Sequence, residues 1–235
     1  MKKNTQINLI EGPIAKNIVR FAVPMFLGNL FQQLYNMADS LVVGNFLGSS
    51  SLAAVTSTGS LIFLLVGFFS GTAMGAGVVI SRFFGAKDYN NIKKAVHTDI
   101  AFGILCGILM TVVGVIFAPQ ILSLMGTPDD VFVESVRYIR IYFLGSLAVI
   151  MYNVCMGILQ AVGDSRHPLY YLIISSVVNI ILDLLFIGIF RFGVGSAALA
   201  TIISQFLSVV LCMRRLIKTD DVYRVCIKDI AFDKG

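Results

Sequence analysis

The chain has 235 residues, of which 57% are apolar and only 13% charged, with a mean hydropathy of +0.86. Soluble domains carry about 25% charged residues, so a soluble enzyme, a disordered tail and a disulfide scaffold are all excluded. The net charge of +5 is not a nucleic-acid stripe either, because Lys and Arg fall in short blocks between apolar segments, the pattern that orients membrane proteins.

Six apolar segments are long enough for a hydrocarbon core of about 30 Å, which takes roughly 20 helical residues. They lie near 18–43, 52–82, 96–119, 136–161, 169–190 and 194–216, and the expected fold is all-α and polytopic. The breaks carry turn chemistry: Gly44 to Ser51, Gly85 to Lys94, Pro119 to Asp130, Gly163 to Pro168 and Arg191 to Gly195. Residues 1–17 form a polar N-terminal segment without the compact apolar region and cleavage site of a signal peptide. Residues 217–235 form a polar tail.

Basic residues set the expected orientation. One side collects Lys2, Lys3, Lys16, Arg20, Arg82, Lys87, Lys93, Lys94, Arg166, Arg214, Arg215, Lys218, Arg224, Lys228 and Lys234; the other has Arg137, Arg140 and Arg191. All 18 basic residues are thereby divided 15 to 3, and both termini are expected in the cytoplasm. The lipid bilayer is the first partner of such a chain, at the cell membrane.

The first segment carries Asn29, Gln32, Gln33, Tyr35, Asn36 and Asp39. Gln32, Tyr35, Asn36 and Asp39 recur at three- and four-residue spacing and share a face. An Asp at mid-membrane costs about 2.5–3.5 kcal/mol on insertion scales, so this stripe must face helices or water. Pro24, 15 residues earlier, removes a backbone hydrogen bond and permits a bend. The second segment has Gly67, Gly71 and Gly75 at four-residue spacing, repeated by Gly103 and Gly107 in the third, a pattern that reads as a close-packing seam.

In the fourth segment Tyr152 and Asn153, with Tyr138 and Arg140 nearer the outer end, are candidates to line a cavity; Tyr138 reads equally as an interfacial anchor and Arg140 as a snorkelling side chain. The fifth carries Asn179 and Asp183 on one face, and the sixth Thr201, Ser204 and Gln205. At about 1.5 Å per residue, Asp39 lies about 8 Å in from Gly44, Asp183 about 12 Å below Arg191 and Thr201 about 12 Å below Gly193. Matched depth lets these groups meet. Two carboxyl groups there could pass a proton as water access changes, or join an amide and a hydroxyl in an oxygen cage for a cation such as sodium, held by Asp39, Asn179, Asp183 and Thr201. The bland alternative is an interhelical hydrogen-bond knot.

The remaining chemistry-bearing residues read as structural. Cys106, Cys155, Cys212 and Cys226 have no metal or redox spacing, and His97 and His167 read as solvated or hydrogen-bonded groups at segment ends. No HExxH, Walker A or GxSxG pattern is present, so neither an enzyme nor a cofactor is expected.

The stretches NMADSLVVGNFLGSSSLAAV (36–55), ILQAVGDSRHP (158–168), NIILDLLFI (179–187) and FGVGSAALATIISQ (192–205) resemble the multidrug and toxic compound extrusion family, over nearly the whole chain from Ile14 to Lys218. The resemblance implies the amino-terminal six-helix lobe of a twelve-helix transporter that exports lipophilic, often cationic, compounds in exchange for protons or sodium. It places the family's cation and proton site on Asp39, Tyr35, Asn179, Asp183 and Thr201, and its bending proline on Pro24. Gln32, Asn36, Tyr138, Tyr152, Asn153 and Gln205 are then candidates for the substrate cavity. The tail resembles the bridge to a second lobe, so a second lobe or a second copy is an expected partner. Two other readings stand beside it: a flippase of lipid-linked saccharides, which would want a more cationic cavity, and a non-transporting membrane partner docked through the Gly67–Gly75 seam.

Overall fold

The computed structural model describes residues 13–232. Residues 1–12, with Lys2 and Lys3, and 233–235, with Lys234, lie outside the described residues. Seven α-helices make up the rest: α1 Ile14–Leu47, α2 Ser49–Gly85, α3 Tyr89–Leu124, α4 Asp129–Leu144, α5 Ser146–Ala161, α6 Arg166–Asp183 and α7 Gly195–Lys218. A six-residue π-helical segment, Leu184–Ile189, prolongs α6, and a single 3-10 turn follows at Ile227–Asp229.

The helices overrun the expected spans because the turns between them are shorter than their composition suggests. Only Gly48 separates α1 from α2, at φ 89°, a left-handed backbone that a residue without Cβ adopts freely. Between α2 and α3 the turn is Ala86–Asp88, and Asp88 caps α3 by accepting the Asn91 N–H at 3.3 Å. Asp129 and Asp130 open α4, where negative charge complements the helix dipole.

By length and apolar character four helices suffice to cross a membrane, or five when α4 and α5 count as one bent span. α1 falls short on hydropathy alone. Its 34 residues reach about 51 Å, but Asn29, Gln32, Gln33, Asn36 and Asp39 dilute its apolar character. The six apolar segments of the sequence fall on α1, α2, α3, α4 with α5, α6 with its π segment, and α7.

Two expectations are corrected. The fourth crossing is not one helix over 136–161: it bends by 49° at Gly145. There α7 comes so close that a Cβ on Gly145 would collide with the Ile202 side chain. The glycine seam also divides. Gly103 and Gly107 do pack closely on Val154, Met151 and Leu147 of α5, whereas among the described residues no other element comes within 4 Å of a Cβ placed on Gly67, Gly71 or Gly75. That face of α2 is open.

The main pairings are α3 and α2 on α5, α6 on α7, and α1 on α6. They bury two apolar clusters, one near each end. The first gathers Ile80, Ile92, Val96, Ile100, Ile158 and Leu216 with Tyr223 and Val225 of the tail. The second gathers Val43, Ala118, Leu122, Ile139, Phe143, Ile187 and Ala197. Tyr35 belongs to the first and Val43 to the second, so Asp39, one turn from each, lies at their seam.

Candidate functional site

At that seam α1, α2, α4, α5 and α7 enclose a cavity of about 350 Å³. Its α1 wall is Gln32, Tyr35, Asn36, Asp39 and Ser40; α4 and α5 supply Tyr138, Tyr142, Val149, Tyr152 and Asn153, and α7 supplies Thr201 and Gln205. The three- and four-residue periodicity of α1 produces this wall directly, since positions 32, 35, 36 and 39 share a side of the helix. Tyr35 and Asp39 are buried, Gln32 is half-buried, and Asn36 is exposed with Thr56 and Phe63 of α2 on the open side of the cavity. Asn29, Gln33 and Arg140 are exposed and line no part of it.

Asn179 and Asp183 stand behind the wall, 1% and 0% exposed. The Asp183 carboxyl adjoins that of Asp39, close enough for a hydrogen bond between them when one carries a proton. Among the described residues, both Asp183 oxygens, Asp39 Oδ1, both polar atoms of the Asn179 amide and Gln205 Oε1 are otherwise buried without a hydrogen-bond partner. Buried polar groups are normally paired, and a cluster of unpaired ones marks a place suited to an ion, a proton or water. Thr201 donates its hydroxyl to Ala197 O at 3.1 Å, which leaves its oxygen lone pairs available.

Asp183 is the last α-helical residue before the π segment. A π turn widens the helix and loosens its bonding, and such turns recur at functional positions. Around the carboxyl pair, Gln205 Nε2 donates to the Tyr35 hydroxyl at 3.5 Å and Gln32 adjoins the same hydroxyl. Asn153 is already engaged: its Oδ1 accepts from Ser70 at 2.7 Å and its Nδ2 donates to Val149 O at 2.8 Å. Tyr152 donates towards Pro168 O at 3.4 Å. Pro24 lies elsewhere, inside an α1 that continues through it.

Several lining residues were not anticipated. Val55, Thr56, Gly59, Ile62, Phe63 and Val66 form an α2 stripe whose helical spacing is visible in the sequence but whose composition is ordinary for a membrane helix. Tyr142, one turn beyond Tyr138, follows from the same periodicity. Asp99 on α3 is also unanticipated, 7% exposed with an unpaired Oδ2, well away from this cavity. Among the described residues no group of three or more His, Cys, Asp or Glu side chains gathers, so a cation here would rely on carboxyl, amide and hydroxyl oxygens.

The fold is thus a multi-pass helical bundle with the Asp39 and Asp183 carboxyls buried beside a cavity. The MatE family model matches residues 24–185, and the chain belongs to the MatE family. It is 37% identical over 197 residues to the probable multidrug resistance protein YoeA of Bacillus subtilis (strain 168), a match covering 82% of this chain and 42% of that protein. To the multidrug export protein MepA of Staphylococcus aureus (strain MRSA252) it is 29% identical over 227 residues, 96% of this chain and 50% of the other. The crystal structure of MATE in the bent conformation superposes with a TM-score of 0.90 at 27% identity, over all of this chain and 52% of that one. The chain thus spans about half the length of these relatives.

Proposed function

We propose that this chain is one lobe of a secondary efflux transporter, exporting lipophilic, often cationic, compounds by antiport with protons or sodium. The observation that carries the reading is the Asp39–Asp183 pair, backed by the unpaired amide of Asn179 and set against a 350 Å³ cavity. Two adjoining carboxylates repel, and a proton or a sodium ion between them relieves that repulsion. Removing the ion changes the charge beside Tyr35 and Asp39, and with it the hold of the cavity on a cationic guest. Coupling of ion and substrate needs no more than such a differential interaction.

Asp39, Asn179, Asp183 and Thr201, with Tyr35 beside them, are the groups assigned to the coupling ion; sodium would use the oxygens of the first four. Gln32, Asn36, Tyr138, Tyr152, Asn153 and Gln205 are assigned to the substrate. Pro24 is assigned to bending of α1, because a proline inside a helix removes a backbone hydrogen bond. Both termini are placed in the cytoplasm on the distribution of Lys and Arg. The cavity's exposed side at Asn36, Thr56 and Phe63 and the open glycine face of α2 are where a second lobe or a second copy would close the assembly.

The test is transport by the chain in liposomes, following a fluorescent lipophilic cation under imposed proton and, separately, sodium gradients. Gradient-driven movement that Asp39→Asn abolishes without loss of insertion supports the reading and names the ion. Movement unchanged in Asp39→Asn overturns it.

A further inference from the structure

A second pocket, of about 680 Å³, lies at the basic end of the bundle between the first turns of α1 and the start of α6. Seven residues line it: Ala15, Lys16, Val19, Arg20, Val23, Pro24 and Arg166. Lys16, Arg20 and Pro24 follow one another at four-residue spacing along α1, and Ala15, Val19 and Val23 form the adjoining stripe. α1 packs against α6, and the contact continues below the pocket, where a Cβ on Gly28 would rest against Leu172 and Leu169. That packing brings Arg166, the first residue of α6, to the α1 cations.

Three basic residues from two helices therefore line one pocket with apolar side chains, and no acidic side chain is among the lining residues. Val19 and Val23 are 60% and 47% exposed among the described residues. A soluble anion would use the cations and leave the valines idle. A free acyl chain would use the valines and leave the cations unpaired. A molecule carrying both a phosphate and an acyl chain uses all seven residues, and such molecules surround this end of a membrane protein.

We propose that this pocket is a binding site for an anionic phospholipid, its headgroup phosphate held by Lys16, Arg20 and Arg166 and an acyl chain lying along Val19, Val23 and Pro24. Basic pockets between membrane helices recognise lipid headgroups in this way, and the guanidinium forks of Arg20 and Arg166 suit a phosphate better than a lone ammonium does. The lipid bridges α1 to α6 on the N-terminal side of Pro24. The inference stands independently of the Asp39–Asp183 cavity and of any transport activity.

The chain contains no Trp, which gives a direct test. Val23→Trp places a single fluorophore in the pocket, and the full-length variant is reconstituted in zwitterionic vesicles doped with brominated lipid, either brominated phosphatidylglycerol or brominated phosphatidylcholine. Quenching at equal mole fraction should favour the anionic lipid. Each of Lys16→Gln, Arg20→Gln and Arg166→Gln should lower that preference about five-fold, and Lys228→Gln should leave it unchanged. Val19→Trp repeats the measurement if the first reporter perturbs folding. Equal quenching by the two lipids, or a preference indifferent to all three substitutions, overturns the proposal. So does loss of the preference on adding millimolar inorganic phosphate at constant ionic strength, which would make the site one for a soluble anion.

Discussion

The backbone N–H of Cys226 donates to Nε2 of His97 at 3.0 Å, across 129 positions of sequence. The other ring nitrogen of His97 lies 2.7 Å from Lys93 O. Both contacts are met together when Nδ1 carries the hydrogen and Nε2 accepts, so the ring joins α3 to the tail as a neutral imidazole. Tyr223 and Val225 are buried in the same cluster as Val96 and Ile100, and Val225 N–H donates to Leu216 O at 3.0 Å. The tail is thus docked on the bundle through Tyr223, Val225 and Cys226, and His97 is the hydrogen-bonded alternative of the two expected, though it lies inside α3 and not in a loop.

Replacing His97 with Leu should release this segment. The half-buried Cys226 N–H would lose its acceptor, at a cost of about 1 kcal/mol. Trypsin should then cut after Arg224 and Lys228 faster by roughly ten-fold or more, with the transmembrane helices intact. His97→Gln keeps an acceptor and should show a smaller increase.

The same docking has an acidic limit. Lys93 Nζ lies 2.6 Å from Asp229 Oδ2, and this hydrogen-bonded ammonium holds the Asp229 carboxyl below its usual range. A carboxyl with a lowered native value stabilises the docked state above its ordinary value, about 3.9, and that contribution fades as pH falls through the lowered one. Measured in the His97→Gln background, proteolytic protection of the tail should therefore weaken below about pH 4. Both side chains are about half exposed, so added salt should also weaken the contribution. Asp229→Asn should remove both sensitivities.

The carboxyl site was legible because burying charge in a membrane is expensive, and a sequence that places Gln32, Tyr35, Asn36 and Asp39 on one face, with Asn179 and Asp183 on another, advertises an internal use for them. Depth counting then matched Asp39 to Asp183 without knowing lateral order. Asp99 obeys the same rule but sits three residues inside its apolar segment, beside Lys93 and Lys94, where an acid reads as interfacial. The bend at Gly145 was hidden because hydropathy runs unbroken through it, and Ile202, the neighbour that excludes a side chain there, lies 57 positions away. The π segment after Asp183 was hidden for a related reason, since Leu184–Ile189 is ordinary helix-forming apolar sequence.

Asp164 organises the turn between α5 and α6. It is fully buried, accepts from the His167 ring nitrogen Nδ1 at 2.6 Å and from its backbone N–H at 3.3 Å, and lies 3.7 Å from an Arg215 guanidinium nitrogen. Asp164→Ala removes the acceptor of the His167 backbone N–H and the partner of Arg215 together and should cost about 3 kcal/mol, the low end for a broken buried pair because the His167 and Arg215 side chains both reach solvent. Asp164→Asn retains a capping oxygen and should cost less. Thermal unfolding in detergent, with the two variants side by side, checks the order.

The glycine pattern yields a contrast between two chemically identical substitutions. A Cβ on Gly107 would lie 2.6 Å from Leu147 Cδ1 and 2.8 Å from Leu147 Cα, and backbone cannot yield as a side-chain tip can. Gly107→Ala should separate α3 from α5 and destabilise the chain by about 1–3 kcal/mol, against which the better helix propensity of Ala returns up to about 1 kcal/mol. Gly71 has no neighbour within 4 Å of its built Cβ, so Gly71→Ala should leave the isolated chain unchanged or slightly more stable. Unfolding midpoints of the two variants in one detergent test this directly. Repeating Gly71→Ala in a longer relative or in an associated pair then asks what covers α2: a drop in stability there, absent in the isolated chain, would mean that a second lobe or copy packs on the Gly67–Gly75 face.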